Sequence, residues 1–174
     1  MKTILLLLSL SFCTCALSQE TTKSKNLKLK YTAPQGWTAS EFGGKSPWEE
    51  GGNTLCKCSG VVFTKQNPNG KLQVLVYPSS TAGLDSAKRN SAGNLRFENV
   101  VKYDKIKNKF FSFERKRSSF TDTKTSKKTY EVIRYQTAID DHFYIIYAWQ
   151  EASGTISPDT EKALYEVVNN IEPN

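Results

Sequence analysis

Residues 129–149 read TYEVIRYQTAIDDHFYIIYAW, and they carry the strongest structural signal in the chain. Apolar and polar side chains alternate through much of this stretch, and a period of two indicates β-strands. The polar segment at residues 140–142 interrupts the alternation and predicts a turn. We therefore predict an antiparallel hairpin of two strands, residues 129–139 and residues 143–149. One face of the first strand would carry Ile133, Tyr135, Thr137 and Ile139, and one face of the second would carry Phe143, Ile145, Tyr147 and Trp149.

Further strand signals lie toward the N-terminus. Two apolar runs, residues 56–65 and 71–77, flank the sequence Asn-Pro-Asn-Gly at residues 67–70. That sequence is a strong turn signal, so we predict a second hairpin. The other segments predicted to be extended are residues 27–32, 97–103 and 109–120, and residues 121–128 are predicted to form an exposed hairpin tip.

Two segments are predicted to be helical. Residues 84–94 suggest a short central helix, although Gly93 weakens its end. Near the C-terminus, Ser157 is a good N-cap residue and Pro158 suits the first helical position. The apolar stripe that follows is Leu164, Val167, Val168 and Ile171. Together the elements predict an α+β fold: an antiparallel β-sheet of about five to seven strands, with the short central helix and the C-terminal helix packed on it.

The N-terminus predicts export. Residues 1–18 combine a positive start, a compact apolar run and small side chains before the expected cleavage point, which is the pattern of a signal peptide. The alternative is a lipoprotein with Cys13 or Cys15 acylated, but the residue before each cysteine is a poor one for lipid attachment. We interpret residues 19–26 as a flexible lead-in and residues 27–174 as one domain. No later apolar segment has spanning length, so we expect a periplasmic or secreted chain without a transmembrane segment.

The end of the first strand resembles a known group of domains. Residues 31–37, Tyr-Thr-Ala-Pro-Gln-Gly-Trp, are similar to the start of PsbP/Mog1-like domains, including the bacterial DcrB-like and DUF1795 groups. Residues 167–171, Val-Val-Asn-Asn-Ile, resemble their closing segment, and the order of elements is similar over most of residues 27–172. The resemblance implies a helix after the early hairpin, an antiparallel meander and a closing helix. It also implies a largely non-catalytic role, as in photosystem accessory subunits, a nuclear transport factor, secretion adaptors and exported lipoproteins.

The sharpest local feature is a pair of cysteines, Cys56 and Cys58. On a strand, residues two apart point to the same face at a spacing of roughly 6.6 Å, which is near the upper limit for the Cα atoms of a disulfide. Three interpretations stay open: a strained disulfide, two reduced thiols, and a soft-metal or redox pair. A zinc site normally takes four ligands, and His142 is the only histidine, so we predict no metal site.

Positive charge is concentrated in one part of the chain. There are 24 Lys and Arg against 17 Asp and Glu, and residues 102–134 hold eleven of these cations with four acids. Such a segment favours an anionic partner, unless it only keeps one face soluble. For an exported chain we expect a protein or an anionic envelope component, such as lipid head groups or an acidic glycan, and nucleic acid is disfavoured. The candidate contact residues here are Arg115, Lys116, Arg117, Lys127 and Lys128.

A second candidate contact lies in residues 38–55, which are rich in Gly, Ser, Glu and Asn and are predicted to form a long loop. Trp48 stands in the middle of this loop. An exposed aromatic side chain among glycines suits a ligand or partner contact. The alternative is a loop that folds back and buries Trp48.

No linear motif indicates catalysis. Residues 44–46, Gly-Lys-Ser, are similar to the end of a phosphate-binding loop, but Ala39 stands where that motif requires glycine. We expect no catalytic residue, no cofactor and no enzymatic activity. Our leading hypothesis is a non-enzymatic exported binding or accessory module that contacts an anionic or protein partner through the 38–55 loop and a basic 102–128 surface. The alternatives are an extracytoplasmic thiol, disulfide or soft-metal protein using the two cysteines, and an enzyme whose catalytic groups meet only in the fold.

Overall fold

The structure is a computed structural model, and it describes residues 20–45, 49–50, 53–54, 58–79, 98–121, 128–139, 142–152 and 154–174. The predicted signal peptide (1–18) and central helix (84–94) lie outside the described residues. The strands in the described part are β1 (Thr21–Lys23), β2 (Leu29–Thr32), β3 (Thr38–Phe42), β4 (Glu49–Glu50), β5 (Asn53–Thr54), β6 (Gly60–Lys65), β7 (Leu72–Ser79), β8 (Glu98–Lys107), β9 (Ser112–Thr121), β10 (Thr129–Ile139), β11 (His142–Gln150) and β12 (Ile171–Pro173). One helix, Pro158–Asn169, is called the C-terminal helix below.

These strands form antiparallel sheets. The main sheet has seven strands in the order β3-β6-β7-β11-β10-β9-β8, a smaller sheet has the order β1-β2-β12, and β4 pairs with β5. With the C-terminal helix packed against β7 and β11, the described part is mostly β and fits the predicted α+β class in outline. The main sheet contains the seven strands at the upper end of the predicted number.

The predicted hairpin of residues 129–149 forms the middle of the main sheet. β10 and β11 pair antiparallel, with Ile133 opposite Ala148 and Tyr135 opposite Ile146. These four side chains are buried on the face that carries the C-terminal helix. On the other face, a second apolar cluster contains Leu75, Tyr77, Phe120, Val132, Ile145 and Tyr147. Both faces of the central strands are therefore buried, which explains the nearly continuous apolar sequence of β11.

The C-terminal helix begins at its predicted cap. The Ser157 hydroxyl accepts a hydrogen bond from the Thr160 backbone N–H at 3.1 Å, which satisfies one of the unpaired donors at the helix start. Leu164, Val167 and Val168 are buried against the sheet. The fourth residue of the predicted stripe differs, because the helix ends at Asn169 and Ile171 belongs to β12, where it pairs with Tyr31 of β2.

The interpretation of residues 19–26 as a flexible lead-in is wrong for Thr21–Lys23. These residues form β1 and pair with β2, and the hydroxyls of Thr21 and Thr32 are 2.9 Å apart. All three β1 residues are exposed. A strand without a buried face has no apolar alternation, so periodicity could not reveal it.

The predicted 38–55 loop is also corrected, both at its start and at residues 49–50 and 53–54, which form the paired strands β4 and β5. Thr38–Phe42 form β3, which pairs with β6 at one edge of the main sheet. Its side chains are exposed or half-buried, so its composition resembles that of a loop. A close approach to this strand also explains Gly60, because a Cβ atom there would lie 2.7 Å from the Phe42 ring.

Candidate functional site

The strand β8 stands apart from the rest of the described surface. Among the described strands it lies at the end of the main sheet and pairs only with β9. Large hydrophobic side chains that remain well exposed in the described part of the chain occur in β8 and in the turn that follows it. They are Val100 (42% exposed), Val101 (53%), Tyr103 (51%) and Phe110 (40%).

Four exposed lysines lie among these apolar side chains. Lys102, Lys105 and Lys107 belong to β8, and Lys109 follows in the turn, where its ammonium lies 5.2 Å from the centre of the Phe110 ring. We call the following set the basic edge: Val100, Val101, Lys102, Tyr103, Lys105, Lys107, Lys109 and Phe110.

The acidic residue within this segment, Asp104, pairs with two cations. Its carboxylate accepts a hydrogen bond from the Arg115 Nε at 2.7 Å and lies 3.1 Å from the Lys102 ammonium. Hydrogen bonding to Arg115, more than any other cause, lowers the pKa of Asp104 from 3.8 to about 2. The carboxylate therefore stays ionised and pairs with both Arg115 and Lys102, while the side chains of Lys102, Lys105, Lys107 and Lys109 remain exposed to solvent.

A β-bulge at Val101 arranges the side chains of β8. The register pairs Val100 with Ser118 before the bulge and Tyr103 with Lys116 after it. Residues opposite each other in neighbouring strands share a face, so Val100 and Tyr103 lie on the same face although they are three residues apart. Lys105 and Lys107 continue that face, which is opposite to the C-terminal helix.

The turn after β8 is fixed by Asn108. Its side-chain oxygen accepts hydrogen bonds from the backbone N–H groups of Phe110 and Phe111 at 2.8 and 2.7 Å. Its side-chain amide donates to the carbonyl oxygens of Val168 and Ile171 at 3.1 and 3.3 Å. One side chain thus holds the turn and ties it to the end of the C-terminal helix.

The predicted contact residues Arg115, Lys116 and Arg117 lie one strand further in, on β9. The two arginines face the C-terminal helix and both donate to Glu161 at 2.9 Å. Lys116 points to the opposite face and is only 1% exposed. The expectation that these residues form an exposed basic surface is wrong, because β9 lies between β8 and β10 and sends its side chains alternately into two covered layers.

The arginine network has a structural role. Arg117 also donates to Glu131 of β10 at 2.6 Å, and the same carboxylate accepts from the backbone N–H of Ile156 at 2.7 Å. These bonds join the main sheet to the chain just before the C-terminal helix. Beneath them the Tyr135 hydroxyl is fully buried, and burial is the main cause that raises its pKa.

The remaining predicted residues fall in other places. Trp48, Cys56 and Lys127 lie outside the described residues. Cys58 is disulfide-bonded, and Lys128 is exposed next to the start of β10. Within the described ranges, no group of three or more His, Cys, Asp or Glu is placed to hold a metal ion.

The basic edge contains residues that sequence reasoning did not select. The sequence predicts the lysines as part of the basic segment, but it predicts the apolar residues beside them only as extended chain. A signal was present: residues 98–107 place charged or polar side chains beside valines and a tyrosine without a regular period of two. That irregularity is the bulge, and a bulge is most common at sheet edges.

Comparison with known protein families finds no match, and a search of curated proteins finds none. Solved structures do match. The solution structure of cyanobacterial PsbP (CyanoP) from Synechocystis sp. PCC 6803 superposes with a TM-score of 0.51 at 14% identity, covering 89% of this chain and 92% of that chain. A protein of unknown function, PA94 from Pseudomonas aeruginosa, gives a TM-score of 0.47 at 11% identity, covering 89% of this chain and 96% of that one.

The chain therefore has a PsbP/Mog1-like fold, as the resemblance of its first strand and closing segment predicts. In the part of the chain that the structure describes, no helix combines the length and the apolar character needed to cross a membrane.

Proposed function

We propose that this protein is a non-enzymatic, exported accessory module that binds an acidic protein partner through its basic edge. The observation that carries the proposal is the coincidence of exposed apolar side chains and exposed lysines along one edge strand. Protein interfaces combine apolar anchors with a charged rim. Exposed apolar groups that cluster in this way are typical of interaction sites.

The shape of the surface favours a protein over a lipid membrane. A strand rises about 3.3 Å per residue, so Phe110, in the turn beyond the end of β8, lies well away from Val100, Val101 and Tyr103 near the start of the strand. A membrane-binding tip would bring its apolar residues together at one point, where they can enter the acyl chains. Here the turn contributes only Phe110 from this set, and lysines separate it from the valines.

Two features support the export part of the proposal. Residues 1–18 have the pattern of a signal peptide, and Cys58 is disulfide-bonded. Structural disulfides persist in oxidising compartments such as the periplasm and the extracellular space. The disulfide also favours a structural cysteine over a thiolate metal ligand, because metal binding requires the thiolate form.

The test compares two charge-reversal variants of the full chain, purified after export. The first carries Lys102→Glu, Lys105→Glu and Lys107→Glu in the basic edge. The matched control reverses three exposed lysines outside the basic edge: Lys23→Glu, Lys28→Glu and Lys162→Glu. Each is titrated with an acidic peptide, with vesicles containing an anionic lipid, and with heparin, at two salt concentrations.

We expect the acidic peptide to bind the wild-type chain and the control variant, and to bind the basic-edge variant at least about tenfold more weakly. Each substitution removes one attraction of about 0.2–1 kcal/mol and adds a repulsion of similar size, and about 1.4 kcal/mol in total is a factor of ten. If both variants bound the acidic peptide equally weakly, the effect would be one of net charge, and the basic edge would not be the binding site. If the wild-type chain bound only vesicles or heparin, and the basic-edge variant lost that binding, the proposal of a protein partner would be wrong.

A further inference from the structure

We propose that the basic edge binds its partner by strand addition. An extended acidic segment of the partner pairs antiparallel with β8 and becomes the next strand of the main sheet. This inference rests on the proposed function and adds the conformation and register of the partner. In this mode of recognition the main-chain hydrogen bonds supply affinity, and alternate side chains supply specificity.

The edge of the main sheet suits such pairing at β8. A strand at an edge directs half of its backbone N–H and C=O groups away from its neighbour. β8 is ten residues long, whereas β3, at the opposite edge, has five residues. The side chains of β8 are also well exposed from Val100 to Tyr103, so the described structure leaves room beside the strand.

The lysines decide what kind of strand can be added. Two copies of β8 paired antiparallel would bring two rows of lysines together, and like charges opposite each other are destabilising. Lysines and bulges commonly protect edge strands from such self-association. Protection does not require exposed Val100, Val101 and Tyr103, whereas an acidic strand with apolar residues would satisfy both the lysines and these side chains.

The strand is held in place before any partner arrives. Asp104 is bound by Arg115, which also binds Glu161 of the C-terminal helix. At the end of β8, the Tyr165 hydroxyl donates to the Lys107 carbonyl oxygen at 2.9 Å. A pre-ordered strand loses little conformational entropy on binding, which favours affinity.

The register predicts the sequence of an added strand. Lys105 and Lys107 share a face with Tyr103, while Lys102 lies on the face of the C-terminal helix. An antiparallel strand running opposite residues 107 to 102 should therefore read acidic, neutral, acidic, neutral, apolar, acidic. The probe is acetyl-Glu-Thr-Glu-Thr-Val-Glu-amide. The control peptide, acetyl-Thr-Glu-Thr-Glu-Glu-Val-amide, has the same composition but sets its three acids opposite Ile106, Asp104 and Tyr103.

The decisive measurement titrates the full chain with two N-methylated forms of the probe. Adjacent residues of a strand direct their N–H groups to opposite edges. We expect methylation of one alternate set of nitrogens to weaken binding by at least about tenfold, since about one net kilocalorie is lost with each hydrogen bond. Methylation of the other set, and the unmethylated probe, should retain binding, and the control peptide should bind more weakly than the probe.

Three results would contradict the proposed conformation or register of the partner. In the first, the two methylated forms bind the wild-type chain equally well and neither binds the basic-edge variant. This result would leave the proposed function intact and show that only charge matters. In the second, the probe and the control peptide bind equally well, which would contradict the predicted register of the added strand. A dimer of the chain alone in sedimentation equilibrium, dispersed by the basic-edge substitutions, would identify a second copy as the occupant.

Discussion

Single residues help to fix the position of the basic edge, and Asn108 holds the turn at the end of β8. Its side chain makes four hydrogen bonds that join the turn after β8 to the end of the C-terminal helix. An asparagine in a turn is a common signal, because its side chain can bond to the backbone two residues on. The bonds to Val168 and Ile171 could not be predicted, since they cross about sixty residues of sequence.

Replacing Asn108 should therefore destabilise the protein. We expect Asn108→Ala to lower the free energy of unfolding by about 2–3 kcal/mol, because backbone groups that it satisfied lose their partner. Urea unfolding measures the change. The control is Asn99→Ala, at an exposed position of β8, which should change stability by less than about 0.5 kcal/mol. Equal losses in both variants would contradict the role of Asn108.

Asp104 gives stability a defined dependence on pH. Its pKa is lowered from 3.8 to about 2 in the folded protein. A carboxyl group with a lowered pKa stabilises the fold above its unfolded pKa, and this contribution is lost as the pH falls toward the folded pKa. Stability should thus decrease between about pH 4 and about pH 2, and Asp104→Asn should reduce that slope. Urea unfolding across this pH range measures the change, and Glu151→Gln is the control. If both variants kept the wild-type dependence of stability on pH, the role of Asp104 would be contradicted.

At the scale of elements, the sequence predicts those strands and helices whose apolar residues lie on one side or form a continuous run. The β10–β11 hairpin and the C-terminal helix are evident because their apolar spacing matches a strand or a helix. β1 and β3 were missed because their side chains stay exposed or half-buried. The basic edge was missed for a different reason: the position of a strand within a sheet depends on partners distant in sequence. The burial of Lys116 follows from that same strand order, which local charge counting cannot supply.

The close packing of β3, β6 and β7 gives a prediction at this scale. Gly60→Ala should lower the free energy of unfolding by about 1–3 kcal/mol, since the added methyl group collides with Phe42 and with the Val76 carbonyl. The control is Gly43→Ala, where the nearest atom, the Ser59 hydroxyl oxygen, lies 3.7 Å from the added carbon. Thermal unfolding of the two variants checks the claim, and equal stability would refute the close approach.

At the scale of the whole molecule, the two faces of the main sheet have different roles. One face carries the C-terminal helix, the smaller sheet and the arginine network, and the other carries the second apolar cluster. Among the described charges of residues 102–134, Arg115 and Arg117 lie in internal ion pairs, whereas Lys102, Lys105 and Lys107 lie on the outer strand. Net charge indicated an anionic partner, and the fold moves the proposed contact from β9 to β8.

The most direct test of the account places a photo-crosslinking amino acid at Val101 in the full chain. The control position is Thr38, which is exposed on β3 at the opposite edge of the main sheet. Irradiation of the protein in the envelope fraction of its source cells, followed by mass spectrometry, identifies the crosslinked segments. We predict that position 101, but not position 38, crosslinks to one protein segment with alternating Asp or Glu. Crosslinking to lipid, or equal crosslinking from both positions, would contradict the central claim.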